Sequence, residues 1–147
     1  MAGAWRSALR WVAIAAAFIN LDIHLVLTSD HLTEKLYIGV LFVIGSALLG
    51  LVVIGLASDR DRLRTAAWIG GSVICAVEFI LFVLSRSTGL PGGYLEDWLG
   101  ATEDLLGLAC LFVELVFLGC AAACLTTTAG RPQAAWVPLH DRSAPLP

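Results

Sequence analysis

The chain has 147 residues, 59% of them hydrophobic and 14% charged, with a mean hydropathy of +0.85. Soluble domains carry about 45–50% apolar and about 25% charged residues, so the composition speaks against an ordinary soluble enzyme. Nine Lys and Arg against twelve Asp and Glu give a net charge of −3 and no basic stripe, which speaks against disorder and against nucleic acid as a partner.

Four apolar stretches follow in chain order: 9–27, 37–57, 65–84 and 105–125. Each is about 20 residues, enough at about 1.5 Å per residue to cross a hydrocarbon core of about 30 Å. Lipid offers the backbone no hydrogen-bond partner, so these segments must be helices, and the absence of period-2 alternation excludes a β-barrel. Asn20, Asp22 and His24 interrupt the first stretch where a cleaved leader would be apolar, so it reads as a retained span. The expected fold is all-α: an integral membrane four-helix bundle running up-down-up-down over residues 1–127, with 128–147 as a flexible tail.

The basic residues orient this bundle. Arg6, Arg10, Arg60, Arg62, Arg64, Arg131 and Arg142 fall on one side, against Lys35 and Arg86 on the other. The positive-inside rule then puts both termini in the cytoplasm of a cell whose inner membrane holds the protein. Trp11 and Trp68 are expected at the inner interface, and Tyr37, Tyr94 and Trp98 near the outer one. Between the first two spans, Ser29 is a candidate N-cap, with 30–35 extending the second helix beyond the membrane. In the long connection 85–102, Gly89, Pro91, Gly92, Gly93 and Gly100 favour tight turns, while the spacing of Tyr94 and Trp98 suits a short interfacial helix.

The informative residues are the ionisable ones inside the spans. Counted by helix rise, Asp22 and His24 lie about 18 and 21 Å from the inner boundary, Glu78 about 20 Å and Glu114 about 16 Å. Asn20 and Ser46 fall near the same level. A charge at the bilayer centre costs about 2.5–3.5 kcal/mol on insertion scales, so these groups are expected to turn inward and share protons, hydrogen bonds or a cation. At 100° per residue Asn20 and His24 share a face and Asp22 points about 200° away.

Three readings compete for this layer. His24, Glu78 and Glu114 could ligate a metal, although no Glu-x-x-His repeat accompanies them. The same carboxylates could relay protons or ions. The plainest reading is a set of neutral, hydrogen-bonded groups that fix helix register or bind a partner. Outside the span, Glu96, Asp97, Glu103 and Asp104 could gather a cation with Glu34 or His31, though such runs are more often a solvated rim. Arg86 sits where an ion pair would close the outer mouth. Cys75, Cys110, Cys120 and Cys124 read as small packing residues, and no C-x-x-C, phosphate loop or G-x-S-x-G occurs. No motif identifies a cofactor, and no enzymatic activity has positive support.

One pattern is shared with a known group. His24-Leu25, Tyr37-x-Gly39-x-x-Phe42, Ser85-Arg86-Ser87-Thr88-Gly89-Leu90-Pro91, Asp104 and Glu114 resemble a group of small four-span bacterial membrane proteins associated with high-GC actinobacteria. The resemblance covers 9–125 and implies topology without a mechanism. It implies that His24, Arg86, Asp104 and Glu114 belong to one outward-facing site. Asn20 and Asp22 join that polar site by depth alone. The resulting expectation is a non-enzymatic accessory subunit or binding module in the bilayer, working with a larger membrane protein or as a homo-oligomer. The alternative is a protein that handles a metal, a cofactor or protons through His24, Glu78 and Glu114.

Overall fold

The computed structural model describes residues 2–98 and 102–129, with side chains for 4–98 and 105–126. Four helices make up the fold: α1 (Ala2–Glu34), α2 (Leu36–Ala57), α3 (Asp61–Ser85) and α4 (Thr102–Ala129). All four are long and apolar enough to cross a membrane. The protein is therefore an all-helical, multi-pass membrane bundle. The expected tail, 128–147, lies almost wholly outside the described residues.

Each helix packs on its neighbours in sequence, and α1 also packs on α4, so the four close into a ring. The outer surface is apolar: Leu25, Val40, Ile54, Val73 and Phe112 are all well exposed. Such a continuous apolar coat is unstable in water and natural in lipid. The short turn Ser58–Arg60 marks the end of the bundle that also carries the start of α1 and the end of α4. The Lys35 turn and the 86–98 connection mark the other, here called the loop end.

The two halves are built differently. At the terminal half, Ala13, Ala17, Leu49, Leu56, Trp68 and Phe117 form a dense apolar core. Small residues let the helices close there. A Cβ added at Gly71 would lie 2.4 Å from Phe117 Cζ, and one at Gly55 would lie 2.7 Å from the Ala67 Cβ. Trp68 is buried against Phe117, with ring centroids 5.8 Å apart, so it is a core residue and not the interfacial anchor expected above. At the loop half, the apolar core shrinks to Ile23, Leu27 and Cys110.

Two local expectations are corrected. Residues 30–34 end α1 and do not begin α2: Lys35 N–H donates to the His31 carbonyl, and nothing from Thr28 to Glu34 breaks a helix. Ser29 is accordingly inside α1, and α2 starts after Lys35 at φ −146°. Tyr94 and Trp98 stand in a turn segment, not a helix. Gly92 and Gly93 take φ of 81° and 74°, and Leu90 pairs with Tyr94 across the turn. Only glycine adopts consecutive positive φ without strain, so these residues fold 86–98 back over the bundle end.

Candidate functional site: a polar chamber at the loop half

Asn20 is the hub of the buried polar layer. It is 1% exposed, on the face of α1 that meets α3 and α4. Its amide donates to Glu78 Oε2 at 2.9 Å and has Glu114 as a second hydrogen-bond neighbour. Its side-chain oxygen accepts from the Cys110 thiol. One amide therefore ties together α1, α3 and α4.

His24 sits one turn further along α1. Its Nδ1 lies 3.0 Å from the Asn20 carbonyl, which can only accept, so Nδ1 carries a hydrogen. Nε2 then faces Glu78 Oε1 across 3.6 Å. A neutral ring would present a lone pair there, opposite a carboxylate lone pair. The pair is favourable only when it holds one proton, on the ring or on the acid. Glu114 completes the layer from α4. It is 3% exposed, and its Oε2 has no hydrogen-bond partner; the same holds for Glu78 Oε1.

Above this floor lies a chamber of about 720 Å³. His24, Glu78, Cys110 and Glu114 line its deep end, and Arg86, Tyr94 and Glu96 line its mouth. The walls between are aromatic and aliphatic. Phe42 packs its ring on His24 at 4.8 Å and on His31 at 4.3 Å. A Cβ at Gly45 would come within 2.9 Å of Glu78 Oε1, so glycine leaves the acid room beside α2.

The mouth is held by charge. Arg86 Nη1 pairs with Glu96 Oε2 at 2.6 Å and lies over the Phe82 ring at 4.0 Å. The Tyr94 hydroxyl also donates to Glu96. Burial, then the hydrogen bond to Glu96 and its negative charge, push the Tyr94 phenol well above its ordinary pKa. Two further bonds fasten the turn to α2 and its leading residue: Tyr37 Oη to the Pro91 carbonyl at 2.6 Å, and Lys35 Nζ to the Gly92 carbonyl at 3.1 Å.

Sequence-derived site residues thus divide into two storeys. Asn20, His24, Glu78 and Glu114 come together at the floor. Arg86 belongs to the mouth; it reaches Gly107, about 10 Å of helix rise from Glu114. The Asp104 side chain lies outside the described residues. Asp22 departs from the expected site: it is exposed on the outer face of α1, because the 200° offset turns it from the ring's interior. His24, Glu78 and Glu114 are not among the described groups whose three ligand atoms lie within 4.8 Å of one another. Among the described residues only His31, Glu34 and Glu96 bring three ligand atoms within 4.8 Å of one another. There Glu96 is already held by Arg86 and Tyr94.

Two participants escaped the sequence reading. Cys110 precedes Glu114 by four residues and so shares its face of α4, a signal hidden by treating every cysteine as packing. Phe42 was noted only as part of a shared string, and its ring role depends on the fold. No protein-family model, curated protein or solved structure matches the chain.

Proposed function

We propose that this protein is a membrane-embedded binding module, non-enzymatic in itself, whose chamber receives the polar part of a small molecule. The observation that carries this reading is the pair of buried carboxylate oxygens in the cavity lining, Glu114 Oε2 and Glu78 Oε1, that make no hydrogen bond within the protein, Glu78 Oε1 only facing His24 Nε2 at 3.6 Å. Buried acceptors left unpaired cost about 1–3 kcal/mol each, so a structural role alone would select against them. A donor supplied by a ligand removes that cost. The arrangement of arginines supports the loop end facing outward from the cytoplasmic membrane. A reporter fused after Pro147 is then expected inside and one inserted at Gly92 outside; the opposite pattern overturns the orientation.

Glu114→Met tests the binding reading. If the acid serves a ligand, the variant is expected to be more stable than wild type in detergent by about 1 kcal/mol, since the unpaired Oε2 gives way to an apolar chain while the Asn20 amide keeps its bond to Glu78. If the acid is a structural tie, the same variant loses stability, and the reading fails. Thermal unfolding of the two purified proteins decides.

A second reading, proton or ion handling, is favoured by the His24–Glu78 pair, which accommodates one proton between two acceptors. Proteoliposomes made with the same variant separate it. Proton flux present in wild type and lost in Glu114→Met supports this second reading, and no flux in wild type removes it.

A further inference from the structure

The chamber does not open only at its mouth. Its lining includes Ile44 and Leu48 on α2 and Val73 and Val77 on α3. These four are also 49%, 40%, 59% and 49% exposed, on helices whose flanking residues Val43, Leu51 and Ile69 are exposed as well. Residues that face both a cavity and the surrounding lipid mark a side opening. Its geometry follows from the glycines. Toward the terminal end, α2 and α3 touch closely at Gly55 with Ala67 and at Val52 with Gly71. Toward the loop end the cavity wall between them is made of aliphatic side chains.

The lining also restricts what would occupy the chamber. Six carboxyl groups face it, from Asp30, Glu34, Glu78, Glu96, Asp97 and Glu114, while Arg86, its one Lys or Arg, is engaged by Glu96. An anionic headgroup is therefore disfavoured by charge. The His24, Phe42 and His31 rings, packed at a tilt on one another, together give the chamber an aromatic wall beside the His24–Glu78 pair. Aromatic walls favour planar rings by offset or tilted stacking, worth about 0.5–1.5 kcal/mol beyond burial. The deep end supplies acceptors at Glu78 Oε1 and Glu114 Oε2 for hydroxyl donors. A volume of about 720 Å³ lies within the roughly 300–1,000 Å³ of small-molecule sites.

We infer that the chamber admits, sideways from the bilayer between α2 and α3, a neutral lipid whose head is a hydroxylated aromatic ring of the quinol type. The ring packs against the His24–Phe42–His31 wall, its hydroxyls donate to the Glu78 Oε1 and Glu114 Oε2 acceptors, and its tail leaves between Leu48 and Val77. This inference rests on the binding reading above.

The test uses the full chain in nanodiscs of neutral phospholipid. The probe is decylubiquinol carrying a photoreactive diazirine at the end of its tail, with oleylamine and dioleoyl phosphatidate as comparison ligands. Saturable binding of the quinol is expected, weakened at least tenfold by Gly45→Leu, which fills the space beside Glu78. Glu78→Gln serves the same purpose if Gly45→Leu does not fold. The diazirine is expected to label Leu48, Val73 or Val77. Labelling confined to 90–97 would overturn the side opening and leave the binding reading intact. Saturable oleylamine with no quinol binding would overturn the ring class and again leave the chamber in use. Preference for phosphatidate would overturn the charge argument in the same way. No saturable binding of any of the three, or binding unaffected by the variant, would overturn the binding reading as well.

Discussion

Asn20→Leu is expected to destabilise the bundle by about 2–4 kcal/mol, because it removes an amide that links three helices. Loss of the amide strands Glu78 Oε2 and deprives the Cys110 thiol of its acceptor. Individual polar contacts between membrane helices are modest, averaging about 0.6 kcal/mol and reaching about 1.7. The larger figure here comes from stranding several buried groups at once. The measurement is unfolding in mixed micelles of graded denaturing detergent. A double variant, Asn20→Leu with Glu78→Leu, separates causes: it removes donor and acceptor together and is expected to recover part of the loss. A single-variant cost below about 0.5 kcal/mol would show that Asn20 is a passenger.

Arg86→Gln is expected to release the 86–98 segment from the bundle end and to cost about 1–3 kcal/mol. The Arg86 side chain is 7% exposed and that of Glu96 23%, so the pair is largely shielded from water. Removing one member of a fully buried pair costs about 3–5 kcal/mol. The cost is smaller here because Glu96 retains the Tyr94 hydroxyl and some access to water. Amide hydrogen exchange reports the outcome most directly. The Leu90 amide, bonded to the Tyr94 carbonyl at 2.7 Å, and the Glu96 amide, bonded to the Ser85 carbonyl at 3.0 Å, are expected to lose protection. Amides around Phe117 are expected to stay protected. Equal loss across both halves would mean that Arg86 supports the whole fold and not the mouth.

Much of this architecture is legible in the sequence because lipid imposes simple rules. Apolar length sets the spans, and constant rise per residue converts position into depth. That conversion is why Asn20, His24, Glu78 and Glu114 are found on one floor. Rotation is legible within a helix, and the 100° step separates Asp22 from Asn20 and His24. Angular position does not say which neighbour a face will meet, so the place of Cys110 beside Asn20 and His24 is read only from coordinates. The mouth is least legible. Arg86 shares a short string with Gly89 and Pro91, yet its partner, Glu96, returns only because consecutive positive-φ glycines reverse the chain. Depth arithmetic fails there, since an irregular segment has no fixed rise. The end of α1 is illegible for a related reason: polar residues beyond an apolar stretch resemble a boundary but break no helix.

The dense packing of Leu49, Leu56, Trp68 and Phe117 has an electrical consequence. It makes the chamber a blind well. A charge arriving at Glu78 from the loop end crosses only part of the transmembrane voltage drop. The whole drop is worth about 2.3 kcal/mol per elementary charge at 100 mV, so a well reaching about a third of the way in senses roughly 0.8 kcal/mol. Occupancy by a charged species would thus shift severalfold when the membrane polarises, whereas a neutral occupant would ignore the potential.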